Sequence, residues 1–145
     1  MKIVAQRVKK ASVFVDGKEI ASMNKGTLIY FAAAKEDNKK NADWLADKIL
    51  SLRIFEDEFG KMNRSLIDVK GSLMVVPQFT LYGNCRKGKR PGFDESASPE
   101  TANELFKYFV NKLKESSIPV YTGKFRSHME VTSINDGPVT FIIEK

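Results

Sequence analysis

A short apolar run that ends at a proline constrains the fold of this chain more than any other feature. Leu73 to Val76 has the length and branched content of a buried β-strand. Pro77 has no N–H group to give to a strand ladder, so the strand is predicted to stop there, before Gln78 to Leu81. The side chains that follow are therefore expected to be held rigidly at the end of a core strand.

A second break in the sequence has the same form. Val131 to Ile134 and Val139 to Ile143 are each typical of a strand, and Gly137-Pro138 interrupts them. The sequence predicts that the two breaks meet and form a site.

The remaining elements indicate an α+β fold. Residues 2–33 form strands, with a hairpin at Asp16-Gly17 and a central strand over residues 27–34. Residues 39–52 have the pattern of an amphipathic helix with Trp44 as a core anchor at its edge, and Ser98-Pro99 begins a second helix. Two helices among about eight unevenly interleaved strands predict a mixed sheet or partial barrel, in a single domain over residues 1–145.

The charge of the chain favours an anionic partner. Its formal net charge is +6. Arg86, Lys87, Lys89 and Arg90 place four cations in five residues, in a loop that follows the first break directly. Such a loop is either a nucleic-acid contact or a solvated basic loop. Its position beside the first break supports a contact, but by charge alone the solvated loop is favoured.

The residue types also exclude several kinds of site. With one cysteine and one histidine, the chain by itself forms neither a disulfide nor a zinc site of several Cys and His ligands. A hydrolase triad would have to use His128 as its base, and a reactive Cys85 thiol is a further alternative. The sequence contains no signal-like segment and no apolar run of about 18 residues, so we expect a cytoplasmic protein that does not bind membranes.

The two breaks together resemble the signature motifs of the D-aminoacyl-tRNA deacylases, also called the D-tyrosyl-tRNA deacylase family. The motifs are Pro77-Gln78-Phe79-Thr80-Leu81 and Asn135-Asp136-Gly137-Pro138-Val139-Thr140. The likeness covers essentially the whole chain, and it also includes residues 4–8, 11–13, 52–57, 60–63 and 86–88.

Two departures from the family pattern concern substrate range more than reaction type. Pro77 stands where the family usually has Ser, which removes a hydroxyl group and a backbone donor. Residues 125–129, with Arg126-Ser127-His128 at their centre, replace a smaller segment that usually contains Gly and Ala.

The resemblance implies hydrolysis of the ester between a D-amino acid and the 3′-terminal adenosine of tRNA. Such a step develops negative charge on the ester oxygen, which the backbone N–H groups of Phe79 and Thr80 can stabilise. The Thr80 hydroxyl is either a nucleophile or a group that positions the ester or a water molecule, and Gln78 braces the site. In the family the 2′-OH of the terminal ribose is thought to assist the hydrolysis. The resemblance also implies that mischarged glycyl-tRNA is hydrolysed.

The resemblance also implies a homodimer with shared sites. In the family the Gly-Pro bond is cis, and this motif of one subunit enters the partner's site and leaves no room for an L side chain. Gly137, Pro138 and Met129 are the corresponding substrate-binding residues here, and Arg7 braces the Gly-Pro loop. No metal and no cofactor is expected. A non-catalytic RNA-binding module, and a small-molecule hydrolase that uses Cys85 or His128, remain as alternatives.

Overall fold

The mixed sheet is organised around one long first strand. A computed structural model describes all 145 residues. The strands are β1 (Lys2–Val15), β2 (Lys18–Met23), β3 (Gly26–Ala32), β4 (Phe55–Glu56), β5 (Met62–Arg64), β6 (Ser72–Pro77), β7 (Val120–Thr122) and β8 (Glu130–Glu144). The helices are α1 (Lys39–Ser51) and α2 (Pro99–Lys114), and a 3-10 turn spans Phe79–Tyr82.

The sheet has the order β2-β1-β3-β6-β7, and β8 pairs with β1 alone. The pairs that involve β1 are antiparallel, whereas β3-β6 and β6-β7 are parallel. β2 also approaches β7, so the sheet nearly closes on itself. Six strands thus form the barrel-like sheet, and β4 and β5 pair as a separate hairpin. The α+β class, the mixed partial barrel, the total of eight strands and the two helices are therefore confirmed.

Apolar side chains alternate between the two faces of the sheet. Ile29 and Val75 point to a large core between the sheet and the helices, while Leu28 and Met74 point to a smaller core inside the barrel. The Phe31 ring, for example, stacks on Phe109 of α2 with centroids 5.0 Å apart. Because both faces of β3 are covered, its continuous apolar run is explained, as the sequence predicted.

Both helices begin as the sequence indicates. The Asn38 side chain accepts a hydrogen bond from the Lys40 N–H, and the Ser98 hydroxyl accepts one from the Thr101 N–H. Neither helix is long and apolar enough to span a membrane.

Two predictions about elements were wrong. Residues 130–144 form one strand with a bulge, not two separate strands, because Asn135 still pairs with Val8 before the break and Thr140 with Gln6 after it. Trp44 is 37% exposed and is not a core anchor. Its ring lies beneath the ammonium groups of Lys48 and Lys145, which are 5.4 and 5.3 Å from its centroid.

Candidate functional site

The first break turns the chain sharply at the end of β6. The Gln78 N–H donates to the Phe31 carbonyl at 2.7 Å and so continues the pairing with β3. The 3-10 turn that follows uses the N–H groups of Leu81 and Gly83, which donate to the carbonyls of Gln78 and Thr80. The N–H groups of Phe79 and Thr80 have no acceptor in the chain, as is usual for the first N–H groups of a helical turn. Two backbone donors are thus left free at adjacent positions.

The side chains of this turn face outward. The Gln78 side-chain amide donates to the Thr80 hydroxyl, which is the only partner of that hydroxyl in the chain. The Phe79 ring is 56% exposed and packs against Phe93, with centroids 5.0 Å apart. Thr80 has no histidine, carboxylate or amine within hydrogen-bond distance to act as its base.

Nearby tyrosines do not supply a base either. Burial raises the pKa of Tyr82, and the carboxylates of Asp37, Glu144 and Glu95 raise this pKa further. Burial also raises the pKa of Tyr30. Both phenols are therefore protonated at neutral pH and do not accept a proton there.

A cavity of about 390 Å³ opens beside the turn. Gln78 and Phe79 form one side of it, and the turn between β7 and β8 forms another. Its walls are mostly apolar and include Phe31, Val76, Phe125, Met129 and Val131. Such a volume with few polar groups is typical of a small-molecule site. Thr80 does not line this cavity.

Sequence reasoning selected Met129 but missed Phe125, Arg126 and His128 as lining residues. The sequence does not reveal which strand β7 pairs with, and this pairing places the segment after β7 beside the cavity. Because β7 runs parallel to β6, the segments that follow the two strands lie at the same edge of the sheet. A three-residue strand is too short for the sequence to reveal its partner.

The second break is a bulge of β8 opposite Arg7. Asn135 pairs with Val8 and Thr140 with Gln6, so the residues between them, which include Gly137 and Pro138, oppose Arg7 alone. The Gly137-Pro138 bond is cis. The Asn135 side-chain amide donates to the carbonyls of Arg7 and Val139, at 2.9 and 3.1 Å, and so closes the base of the bulge.

The Arg7 side chain connects this bulge to the short β4-β5 hairpin. This side chain is only 5% exposed. It donates to the Asp136 carbonyl at 3.2 Å and to the Ile54 carbonyl at 2.7 Å. It also forms salt bridges with the carboxylates of Asp136 and Glu56, each at 3.3 Å. The guanidinium is thus satisfied on both sides of the bulge.

The two breaks lie far apart within one chain. Because Arg7 pairs with Thr27 and Thr27 with Leu73, the bulge lies level with the start of β6. Gln78 follows the opposite end of β6, about 16 Å further along at roughly 3.3 Å per residue. Three strand spacings of about 4.8 Å also separate β8 from β6, so the two breaks are on the order of 20 Å apart along the sheet.

The basic segment forms a closed loop after the 3-10 turn. The backbones of Asn84 and Gly92 exchange two hydrogen bonds, of 2.7 and 3.0 Å, that close the loop. The loop exposes all four cations, and none of them is in a salt bridge: Arg86, Lys87, Lys89 and Arg90. Cys85 is exposed as well, and its thiol donates a hydrogen bond to the Gly83 carbonyl at 3.8 Å. No histidine accompanies this thiol, which does not favour a thiol hydrolase.

Comparison with known proteins gives one consistent family. The model of the family described as D-Tyr-tRNA(Tyr) deacylase matches residues 4–144. The D-aminoacyl-tRNA deacylase of Geotalea daltonii is 57% identical over 144 residues, which are 99% of this chain and 96% of that protein. The D-aminoacyl-tRNA deacylase of Thermosipho africanus is 50% identical, over 99% of this chain and 97% of its own length.

Two solved structures have the same fold as this chain. A protein described as c-Myc DNA Unwinding Element Binding Protein superposes with a TM-score of 0.95 at 37% identity, over 100% of this chain and 99% of its own. A probable eukaryotic D-amino acid tRNA deacylase has a TM-score of 0.84 at 16% identity, over 98% and 97% of the two chains. The second likeness concerns the fold alone.

Proposed function

The chain belongs to the D-Tyr-tRNA(Tyr) deacylase family and is a hydrolase of the ester bond in D-aminoacyl-tRNA, and from this premise we propose how its two breaks share the reaction. The break after β6 stabilises the developing charge, and the bulge of a partner subunit selects the substrate by shape. The single observation that carries this division is the pair of free N–H groups of Phe79, which lines the cavity, and of Thr80, which follows it directly.

The chemistry depends on these backbone donors. Attack on the ester carbon places negative charge on the carbonyl oxygen, and fixed N–H donors stabilise it without reorganisation. Because Thr80 has no base beside it, its hydroxyl positions the ester or the attacking water and does not itself attack. Gln78 holds that hydroxyl in place. The 2′-OH of the terminal ribose assists the attack, so the reaction requires neither a metal nor a cofactor.

The cavity receives the terminal adenosine of the tRNA. Its volume of about 390 Å³ and its aromatic walls suit a flat base, and its mouth adjoins Phe79. Phe125 and Met129 contact the base from the far wall. The cations of the loop that begins after Gly83 bind phosphates of the acceptor end, since they are exposed, form no salt bridge and follow the turn that holds Phe79.

The shape filter comes from a second copy of the chain. Within one subunit the bulge lies on the order of 20 Å from Gln78, too far to contact the same substrate group. β8 has a free edge, and its side chains Ile134 and Ile142 are 55% and 72% exposed. An apolar edge strand of this length is normally covered, and a two-fold dimer would cover it and build two sites from one interface.

Gly137 and Pro138 then line the partner's site with backbone atoms. Carbonyl groups there hold the amino group of the substrate, and the closely approaching backbone leaves no space for an L side chain. Glycine has no side chain to exclude, so glycyl-tRNA is also a substrate. Arg7 fixes the bulge, since it bonds to Asp136 on one side and to the β4-β5 hairpin on the other.

Incubation of the purified protein with D- and L-tyrosyl-tRNA, with and without EDTA, tests the reaction. We expect that only the D-ester is hydrolysed and that chelation leaves the rate unchanged. The rate of a Cys85→Ala variant should stay within a few fold of that of the unmodified protein. Loss of turnover on chelation, with recovery on addition of zinc, would contradict the proposal. Equal hydrolysis of the L-ester would contradict the shape filter.

Subunit exchange tests the shared site. One variant of lowered activity is altered at Thr80 and the other at Gly137, and the two are mixed under conditions in which exchange is verified. In the heterodimer, one of the two sites combines an intact Thr80 with an intact Gly137, so activity should return. A lack of recovery despite proven exchange, or full activity in a monomeric variant, would refute sharing.

A further inference from the structure

The turn between β7 and β8 carries polar side chains that no other part of the chain uses. Phe125 and Met129 of this turn contribute to the apolar wall of the cavity, whereas Arg126, Ser127 and His128 contribute its polar lining. None of these three side chains forms a hydrogen bond or a salt bridge within the chain. The cavity therefore has a polar side that is distinct from the one formed by Gln78.

Arg126 is the charged member of this group. It is exposed, and it has a φ of +56°. This left-handed conformation is unfavourable for an L residue such as arginine. Arg126 lines the same cavity as Gln78 and Phe79, from the segment that follows the neighbouring strand β7. An unpaired guanidinium at the edge of a largely apolar cavity is suited to a planar anion such as a phosphate.

We propose that Arg126 binds the phosphate on the 5′ side of the terminal adenosine, which makes it a positioning residue for the deacylation. The inference rests on the proposed function, in which this adenosine occupies the cavity. The ester lies on the 3′ side of the ribose and faces Gln78 and Phe79. The 5′ carbon is attached across the same ring, so its phosphate faces the other segment that lines the cavity, where Arg126 lies.

The assignment separates Arg126 from the basic loop after Gly83. That loop is reached from the Gln78 side of the cavity, and its four cations are near one another in sequence. Arg126 binds only the last phosphodiester. Because this phosphate is attached to the terminal ribose, the contact fixes the position of the ribose. Its contribution should therefore depend on one phosphate group and not on the length of the RNA.

The test uses three D-tyrosyl esters that differ in this phosphate: D-tyrosyl-tRNA, 3′-O-D-tyrosyl-AMP and 3′-O-D-tyrosyl-adenosine. Arg126→Asn removes the charge, and asparagine tolerates a positive φ, so the fold should be retained. Lys70→Asn is the matched control, because Lys70 is also an exposed cation with a positive φ (+49°), at the other end of β6. Thermal unfolding checks that both variants remain folded.

We expect Arg126→Asn to lower kcat/KM about tenfold for the two phosphorylated esters, mainly through KM, and to leave the adenosine ester unchanged. It should also lower the salt dependence of KM for tRNA by about 0.7 log units per log unit of salt. Arg126→Lys should recover part of the loss, and Lys70→Asn should behave like the unmodified protein with all three esters.

Equal losses on all three esters would make Arg126 a structural residue, and no loss on any would remove it from the site; either result overturns the inference. If the unmodified protein failed to hydrolyse D-tyrosyl-tRNA, the proposed function itself would fall. Equilibrium binding of AMP and adenosine then still tests the phosphate contact. A preference for AMP that disappears in Arg126→Asn supports it, and equal binding of the two ligands refutes it.

Discussion

The two breaks of this chain are built in opposite ways. In the bulge of β8 the polar side chains are paired within the chain: Arg7 bonds to Asp136, and the Asn135 side chain bridges two carbonyls. The turn after β6 leaves two adjacent N–H groups without acceptors and exposes the Phe79 ring. The first arrangement fixes a shape, and the second offers groups to a ligand. A site that combines them obtains selectivity from one region and reactivity from the other, and each can be altered separately.

The largest effect is expected where the fixed shape leaves no room. A Cβ atom on Gly137 would lie 2.7 Å from the Val139 side chain and 3.1 Å from the Arg7 guanidinium, at a φ of +128°. Gly137→Ala should therefore displace the bulge and lower kcat/KM for D-tyrosyl-tRNA by on the order of 10²-fold, as expected when a small misplacement disturbs the geometry of a reaction site.

Gly17→Ala is the control for Gly137→Ala. Gly17 also has a positive φ (+74°), but a Cβ atom there meets no heavy atom within 4 Å. Like Gly137→Ala, Gly17→Ala places an alanine at an unfavourable positive φ, but it creates no steric clash, so this variant should keep its activity. Equal activity in both alanine variants would show that the bulge does not shape the site.

The next largest effect concerns the side chain that fixes the bulge. Arg7→Lys keeps the charge but cannot reproduce the guanidinium contacts to Asp136, Ile54 and Glu56. We expect it to lower the free energy of unfolding by about 2–4 kcal/mol, measured by urea denaturation. Rates with D- and L-tyrosyl-tRNA should also become more similar.

Arg64→Lys provides the comparison for Arg7→Lys. Arg64 pairs with Glu58 at 2.7 Å, but both side chains are about half-exposed or more. An exposed pair contributes little, so this variant should stay within about 0.5 kcal/mol. If Arg7→Lys were equally mild, the bulge would not depend on the buried guanidinium.

In the reactive region, the role of Thr80 can be measured directly. If its hydroxyl positions the substrate, Thr80→Ala should lower kcat by about 10–100-fold and Thr80→Ser should retain most of the activity. Loss of a nucleophile has a much larger effect, on the order of 10⁴-fold or more. Single-turnover hydrolysis of D-tyrosyl-tRNA distinguishes the two roles, and a loss of the larger size would make Thr80 the nucleophile.

The difference between the regions also explains what the sequence could predict. Helix starts at Ser98 and Asn38 and the hairpin at Asp16 depend on local residues, so they were visible in the sequence. The wall formed by residues 125–129 depends on which strand β7 pairs with, and the exposure of Trp44 depends on lysines from two segments. Such tertiary contacts leave no local pattern.

The bulge shows the same limit within a single element. The Gly-Pro pair correctly indicated a break, but the chain resumes its pairing with β1 on both sides because Arg7 and Asn135 hold the extra residues in place. A strand that continues through a bulge cannot be distinguished from two strands when its partner is unknown. The position of the break was thus predictable, and its structure was not.

The smallest effect is expected from the exposed loop after Gly83. Its four cations have no partners in the chain, so their removal should leave the fold and the chemical step intact and weaken only the binding of tRNA. Each of Arg86, Lys87, Lys89 and Arg90 that contacts a phosphate should lower the slope of log KM against log salt by about 0.7–0.9 when neutralised. Single-turnover rates at saturating tRNA should change by less than a few fold, which distinguishes this loop from Gly137 and Thr80.

The exposed cations Lys107 and Lys114 of α2 are the control, because their neutralisation removes charge from another surface. An equal change in slope for both sets would indicate a response to net charge, and the loop would then be no more than a solvated basic segment.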